Sequence, residues 1–124
     1  MKKERLINLL TSTVLAFLPF ATEAFTVIND HVYNISMQIN DSGCNPIGII
    51  YQGMKKELNL ETLSTFCKNT FPCQVRFSTR LNCLETKVLT LVNKNAEITE
   101  SYIFPNPKED PMFISISSDK IRFS

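Results

Sequence analysis

Three of the chain's four cysteines lie within the seventeen residues from Cys67 to Cys83, and their pairing limits how the rest can fold. An even number of irregularly spaced cysteines is typical of a small exported domain held by disulfides. Three pairings are possible, and we predict the sequential one: Cys44–Cys67 and Cys73–Cys83. The spacings lack the close cysteine pairs of zinc sites, and the single histidine, His31, is distant in sequence. We therefore expect no metal ion and no other cofactor.

The first residues have the pattern of a secretory signal peptide. Three basic residues precede an apolar stretch that ends in small residues. The continuous apolar part, residues 14–20, is much shorter than the roughly 20 residues that a membrane-spanning helix needs. We therefore predict a signal peptide over residues 1–24, cleaved near Ala24.

Residues 25–124 form the predicted mature protein, a single domain without stable membrane insertion. The basic start and compact leader indicate a bacterial protein, predicted to be secreted or periplasmic. Removing residues 1–24 takes three basic and two acidic residues from totals of 13 and 12, which leaves ten of each. A neutral domain lacks the clustered positive charge that binds phosphate backbones, so a nucleic-acid partner is not expected.

Most of the mature chain consists of short apolar or alternating runs separated by turn residues. Such runs at intervals of about ten residues predict an all-β fold, a small antiparallel β-sandwich of seven to eight strands. Leucine and phenylalanine at helical spacing predict one short helix within residues 55–67. The predicted strands cover residues 25–29, 32–39, 47–52, 74–79, 87–92, 97–104, 112–117 and 121–124.

Catalytic chemistry has weak support in the sequence. His31 follows Asn29 and Asp30 in a predicted turn, so we interpret it as a solvated turn residue rather than part of a catalytic triad. Paired carboxylates can hydrolyse glycosides without a histidine. The candidate pairs, each also explained by surface charge, are Glu57 with Glu61, Glu97 with Glu100, and Glu109 with Asp110.

Binding is the better supported class of function, and the candidate residues lie in two loops. Phe71 stands between two cysteines, and Phe104 precedes a proline-rich loop, residues 105–111. An aromatic side chain held by a rigid loop makes a contact of low entropic cost. The predicted binding residues, expected at one working end of the domain, are Phe71, Phe104, Lys108, Glu109 and Asp110.

The run FTVIND-HVYNISMQI, from Phe25 to Ile39, resembles the first hairpin of thaumatin-like proteins. That family begins a disulfide-rich β-sandwich with an FTIVN-type strand, a short turn and a strand containing tyrosine. The resemblance implies a β-sandwich that begins at Phe25. It does not extend to the family's turn cysteine, where this chain has His31, or to its acidic cleft, so it implies no catalytic or glucan-binding residue.

The sequence thus favours a small binding protein for a protein or carbohydrate partner. The alternatives are a secreted hydrolase that uses paired carboxylates and an envelope structural or inhibitor protein. A large exposed apolar patch would favour a protein partner over a sugar.

Overall fold

The computed structural model describes residues 23–109 and 111–124. The predicted signal peptide therefore lies outside the described residues except for its last two. Eight strands and one helix follow one another along the chain. Their bounds are β1 (Ala24–Asn29), β2 (Ser36–Ile39), β3 (Lys55–Asn59), α1 (Leu60–Cys67), β4 (Cys73–Ser78), β5 (Val88–Val92), β6 (Ile98–Ile103), β7 (Ile114–Ser117) and β8 (Lys120–Phe123).

The strands form two four-stranded sheets, in the orders β3-β1-β8-β7 and β2-β4-β5-β6. Neighbouring strands are antiparallel except for β1 and β8, which are parallel. The prediction of an all-β sandwich with one short helix is confirmed. No helix in the described ranges is long and apolar enough to cross a membrane.

The core lies between the two sheets because strands such as β4, β5 and β8 turn alternate residues inward. Val75 and Phe77 of β4 are fully buried, as are Ile121 and Phe123 of β8 in the other sheet. The rings of Phe77 and Phe123 are 5.5 Å apart between centroids, so the inner faces of the sheets are in contact. Burial of several such side chains, each worth about 1.5–3 kcal/mol, holds the layers together.

The predicted helix is shorter than expected, because its first five residues form strand β3. Leu58 lies opposite Phe25 of β1, and both side chains are fully buried. Helix α1 begins after Asn59, whose side chain accepts a 2.9 Å hydrogen bond from the Thr62 amide as an N-cap. The apolar spacing over residues 55–67 therefore indicated a helix correctly only from Leu60 onward.

The strand predicted over residues 47–52 is absent, and the segment is a loop that covers the outer edge of β2. Asn45 and Gly48 have positive φ angles, which interrupt an extended chain. The loop meets β2 through Asn45, whose amide donates to the Met37 carbonyl at 2.8 Å and whose side chain accepts from the Met37 amide at 3.0 Å. Only an isolated bridge, between Ile35 and Ile50, has β character.

The predicted disulfide pairing is wrong. The structure joins Cys67 to Cys73 and Cys44 to Cys83, with Cα–Cα distances of 5.8 and 5.9 Å. Cys67 ends α1 and Cys73 begins β4, and a left-handed turn at Lys68 and Asn69 reverses the chain between them.

The second disulfide follows from the sheet. Antiparallel pairing with β4 places the start of β2 beside the β4–β5 loop. The loop after β2 folds back along that strand as far as Met37, so Cys44 reaches the β4–β5 loop although the two are far apart in sequence. The Asn45 side chain then donates to the Leu81 carbonyl at 3.0 Å, next to the Cys44–Cys83 bridge. The pairing therefore depends on strand order, which cysteine spacing does not reveal.

Candidate functional site

An open groove of about 560 Å³ lies at one end of the sandwich, between the β4–β5 loop and the β6–β7 loop. Three of the five predicted binding residues, Phe104, Lys108 and Glu109, line it. The opposite wall is formed by residues that the sequence analysis did not select: Arg80, Glu85 and Thr86. We call this site the end groove.

Glu109 fixes the β6–β7 loop in place. Its carboxylate accepts a hydrogen bond from the Thr79 hydroxyl and forms an ion pair with Lys87, with 3.4 Å between nitrogen and oxygen. The two charged side chains are only 11% and 17% exposed, so water screens their attraction less than at an open surface. In the structure this carboxylate is engaged within the protein, and it positions one wall of the end groove.

His31 holds the far side of the same loop, and its interpretation as a solvated turn residue is wrong. The side chain is buried, with 6% exposure. Its Nδ1 accepts a hydrogen bond from the Tyr33 amide at 3.2 Å, so the proton of the neutral ring is on Nε2, which donates to the Pro111 carbonyl at 3.0 Å. The turn after β1 folds inward because this carbonyl gives the imidazole a partner.

The surface of the end groove combines one aromatic ring with charges of both signs. Phe104 is 48% exposed, while its amide donates to the Lys87 carbonyl at 2.9 Å and fixes the backbone. Lys108 is exposed and forms no ion pair with any residue in the described ranges. Arg80 and Glu85 form a 3.2 Å ion pair, more than half exposed on both sides. Such an exposed pair is weak and can rearrange around a ligand.

Of the other two predicted binding residues, Phe71 is not part of this groove. Phe71 is partly buried and packs against the core just before β4 begins, whereas the end groove lies beyond the end of that strand. A strand of this length separates the two places by roughly 20 Å. Asp110 lies outside the described residues. The single working end expected from the sequence is therefore wrong, because Phe71 and Phe104 lie at opposite ends of the sheet.

Two of the three candidate carboxylate pairs occupy ordinary surface positions, and the third contains Asp110, which lies outside the described residues. Glu57 is exposed on β3, and Glu61 lies in the first turn of α1. Glu97 accepts a hydrogen bond from the Asn93 side chain, and Glu100 accepts one from the Tyr102 hydroxyl at 2.7 Å. No cluster of three or more metal-ligating side chains occurs within residues 23–109 and 111–124.

One feature of the sequence points to the wall formed by residues 80–86, namely charged residues on both sides of a cysteine. Arg80 and Glu85 flank Cys83 in the turn between two predicted strands, so any disulfide at Cys83 would fix their backbone. The sequence did not indicate the partner wall, because the β6–β7 loop reaches this turn through contacts between distant residues, including those of Glu109 with Thr79 and Lys87.

Comparison with known proteins finds no match to this chain among protein families, characterised proteins or solved structures. The resemblance of the first hairpin to thaumatin-like proteins stays a prediction, and no residue role is taken from it.

Proposed function

We propose that this chain is a small exported binding protein that recognises a polypeptide partner through the end groove. The observation that carries the proposal is the half-exposed ring of Phe104, at the lip of a groove whose walls are both fixed. Aromatic anchors beside well-ordered polar groups are the usual centres of protein recognition.

The supports of the groove keep the cost of binding low. The Cys44–Cys83 disulfide ties down the turn that carries Arg80 and Glu85. The Glu109–Lys87 ion pair and the hydrogen bond between His31 and Pro111 hold the opposite loop on its two sides. A partner would then meet surfaces that lose little conformational freedom on association.

A polypeptide fits this surface better than a carbohydrate does. Tyr102 and Phe104 lie two positions apart on the same face of the chain, and each is about half exposed, at 50% and 48%. A run of exposed apolar side chains rimmed by charged groups is typical of protein–protein contacts. Lys108 and Arg80 can pair with acidic groups of the partner at the rim, where charge influences association rate and specificity.

Export is part of the same proposal. The two disulfides support an oxidising compartment, and together with the leader-like pattern of residues 1–24 they favour a secreted or periplasmic protein. Export would be tested by sequencing the N-terminus of the protein recovered from outside the cytoplasm.

The binding proposal is tested by placing a photo-crosslinking phenylalanine analogue at position 104 in cells and identifying the adduct by mass spectrometry. The matched control places the analogue at Phe113, which is 76% exposed on the other sheet's edge and does not line the groove. With the purified partner, Phe104→Ser should weaken binding about tenfold or more, and Phe113→Ser should leave it unchanged. Equal effects of the two substitutions, or retention of glycans alone on an array, would contradict the proposal.

Polysaccharide hydrolysis is the second candidate, because Glu85 and Glu109 reach the same groove from different loops. Each is already paired with a cation, Glu85 with Arg80 and Glu109 with Lys87, which favours binding over acid–base chemistry. If the wild-type protein hydrolysed a polysaccharide, and if Glu85→Gln and Glu109→Gln each abolished this activity, hydrolysis would replace binding as the proposed function.

A further inference from the structure

Strand β6 is the outer strand of its sheet, and it is unusually open. Five of its six residues are exposed, from Thr99 to Ile103, on both faces of the sheet. Its single charged residue is Glu100, and it contains neither lysine nor proline, the residues that commonly protect an edge from pairing.

The backbone groups of this edge are aligned for another strand. The Phe104 amide donates to the Lys87 carbonyl of the neighbouring chain segment, and Tyr102 and Glu100 lie opposite Leu89 and Leu91 in the same register. Because hydrogen-bonding groups alternate along an antiparallel strand, the amides and carbonyls of Ser101 and Ile103 point away from β5. Within the described part of the chain, these groups have no hydrogen-bond partner.

The other sheet edges are protected. The loop through Asn45 covers β2, as described above. Strand β3 carries three charged residues among its five, and β7 is only four residues long. The β6–β7 loop does not cover β6, because Glu109 draws it over the ends of β4 and β5, toward Thr79 and Lys87.

We infer that two copies of this chain associate edge to edge through antiparallel β6 strands, related by a two-fold axis at Tyr102. In this register Ser101 of each copy lies opposite Ile103 of the other copy. Each of these two pairs exchanges two backbone hydrogen bonds, so the interface contains four. Tyr102 lies directly opposite Tyr102 of the second copy. Both rings are on the outer face of the sheet, because the next residue, Ile103, pairs with buried Val88 on the inner face and successive residues alternate. Cross-strand aromatic pairs of this kind stabilise antiparallel sheets.

The charge and the bulge of β6 disfavour two other registers, centred on Glu100 and on Ser101. Directly opposed residues of paired strands have their side chains on the same face of the sheet. A two-fold axis between two residues would pair residues from opposite faces, so the axis must pass through a residue. An axis at Glu100 would set two carboxylates against each other. An axis at Ser101 would pair Ile103 with Thr99, the extra residue where the β5–β6 register shifts. An axis at Tyr102 places Glu100 opposite Phe104 and avoids both problems.

The association does not depend on the proposed partner of the end groove. Tyr102 and Phe104 lie beside both surfaces, but the hydrogen-bonding edge of β6 belongs to the dimer alone, and the wall formed by residues 80–86 of the β4–β5 turn belongs to the groove alone. Loss of dimerisation with partner binding intact, or the reverse, would therefore separate the two proposals.

The test is the mass of the purified protein in solution, measured by analytical ultracentrifugation over a range of concentrations. The wild-type chain should reach twice its monomer mass. Tyr102→Lys should weaken the dimer about tenfold or more, because two ammonium groups would face each other, and an equimolar mixture with Tyr102→Glu should restore a heterodimer. This rescue shows that both variants fold. The matched control, Ser115→Lys on exposed β7, should dimerise like wild type.

Register is tested by cysteine substitution. Non-hydrogen-bonded antiparallel neighbours have Cα atoms about 4.5 Å apart, within the range of a disulfide, so Tyr102→Cys should form an intermolecular bridge on mild oxidation. Glu100→Cys should not form this bridge, because position 100 lies opposite position 104 of the second copy, four residues away from the second cysteine. A wild-type monomer at every concentration, an undiminished Tyr102→Lys dimer, or equal bridging of both cysteine variants would overturn the inference.

Discussion

The Nε2 atom of His31 donates a hydrogen bond to the carbonyl of Pro111, 80 positions later in the chain, at 3.0 Å. This contact joins the turn after β1 to the segment that leads into β7. Since Glu109 fixes the same loop to Lys87, the loop that forms one wall of the end groove is held from two directions. The position of Phe104 and Lys108 therefore depends partly on His31, which does not line the groove.

Replacing His31 with Phe should lower the free energy of unfolding by about 1–3 kcal/mol, because the ring volume is kept but both hydrogen bonds are lost. Urea unfolding followed by circular dichroism would measure this change, and hydrogen exchange should rise at Met112 and Phe113. Val32→Ser is the matched control, since Val32 is adjacent but 62% exposed, and its effect should be within about 0.5 kcal/mol. Wild-type stability of His31→Phe would show that the contact with Pro111 does not hold the loop.

The two ion pairs of the end groove should differ in strength. Glu109→Gln removes a charge-assisted contact between largely buried groups and should cost about 2 kcal/mol of stability. Glu85→Gln breaks a pair that is more than half exposed, and it should cost about 0–1 kcal/mol. Parallel denaturant titrations would compare them. Equal costs would mean that burial does not strengthen the Lys87 pair.

The two disulfides should contribute unequally, because they close loops of different length. The sequence separations are 39 residues for Cys44–Cys83 and 6 for Cys67–Cys73. Loop entropy predicts losses of about 4 and about 2 kcal/mol when each pair is replaced by alanine. Thermal unfolding of the two double variants would rank them, after non-reducing peptide mapping of the wild type. Detection of a peptide joining Cys44 to Cys67 would reject the pairing itself.

Tyr102 should lose its phenolic proton only above the ordinary pH range for tyrosine. The hydrogen bond to Glu100 and the charge of that carboxylate raise the pKa of Tyr102 above its usual value of 10.0. Since the folded state favours the neutral phenol, this contribution to stability is present below pH 10 and is lost as the pH rises through the raised pKa. Glu100→Gln should bring the tyrosinate absorbance transition back toward the usual value. Glu97→Gln, a change at a residue that contacts Asn93 instead, should not move it.

Alternation along single strands was enough to predict most of the sandwich. The strand that contains Val75 and Phe77 buries these two residues as its sequence indicates, whereas the apolar run of β5 indicated a strand but not that Thr90 lies on its buried face. Segments 47–52 and 55–59 were misinterpreted because their conformation depends on distant partners. Pairing with β1 makes Lys55–Asn59 a strand, although its charged residues resemble the start of a helix.

The candidate site was predicted only in part for the same reason. Phe104, Lys108 and Glu109 were found because a proline-rich loop after a strand indicates an exposed surface. Phe71 was grouped with them because it stands between two cysteines, where a disulfide would hold an aromatic ring rigid, but the length of β4 separates it from Phe104. Arg80 became part of the site through packing between loops that no local pattern reveals.

The parallel pairing of β1 with β8 has a consequence for the order in which the molecule can assemble. Val27 in the first strand lies next to Ile121 in the last, at the centre of one sheet. A chain that emerges from a ribosome or a translocation pore with its N-terminus first presents β1 long before β8 exists outside. This sheet therefore cannot close until the chain has emerged through Phe123, and until then the central position beside β1 stays unfilled.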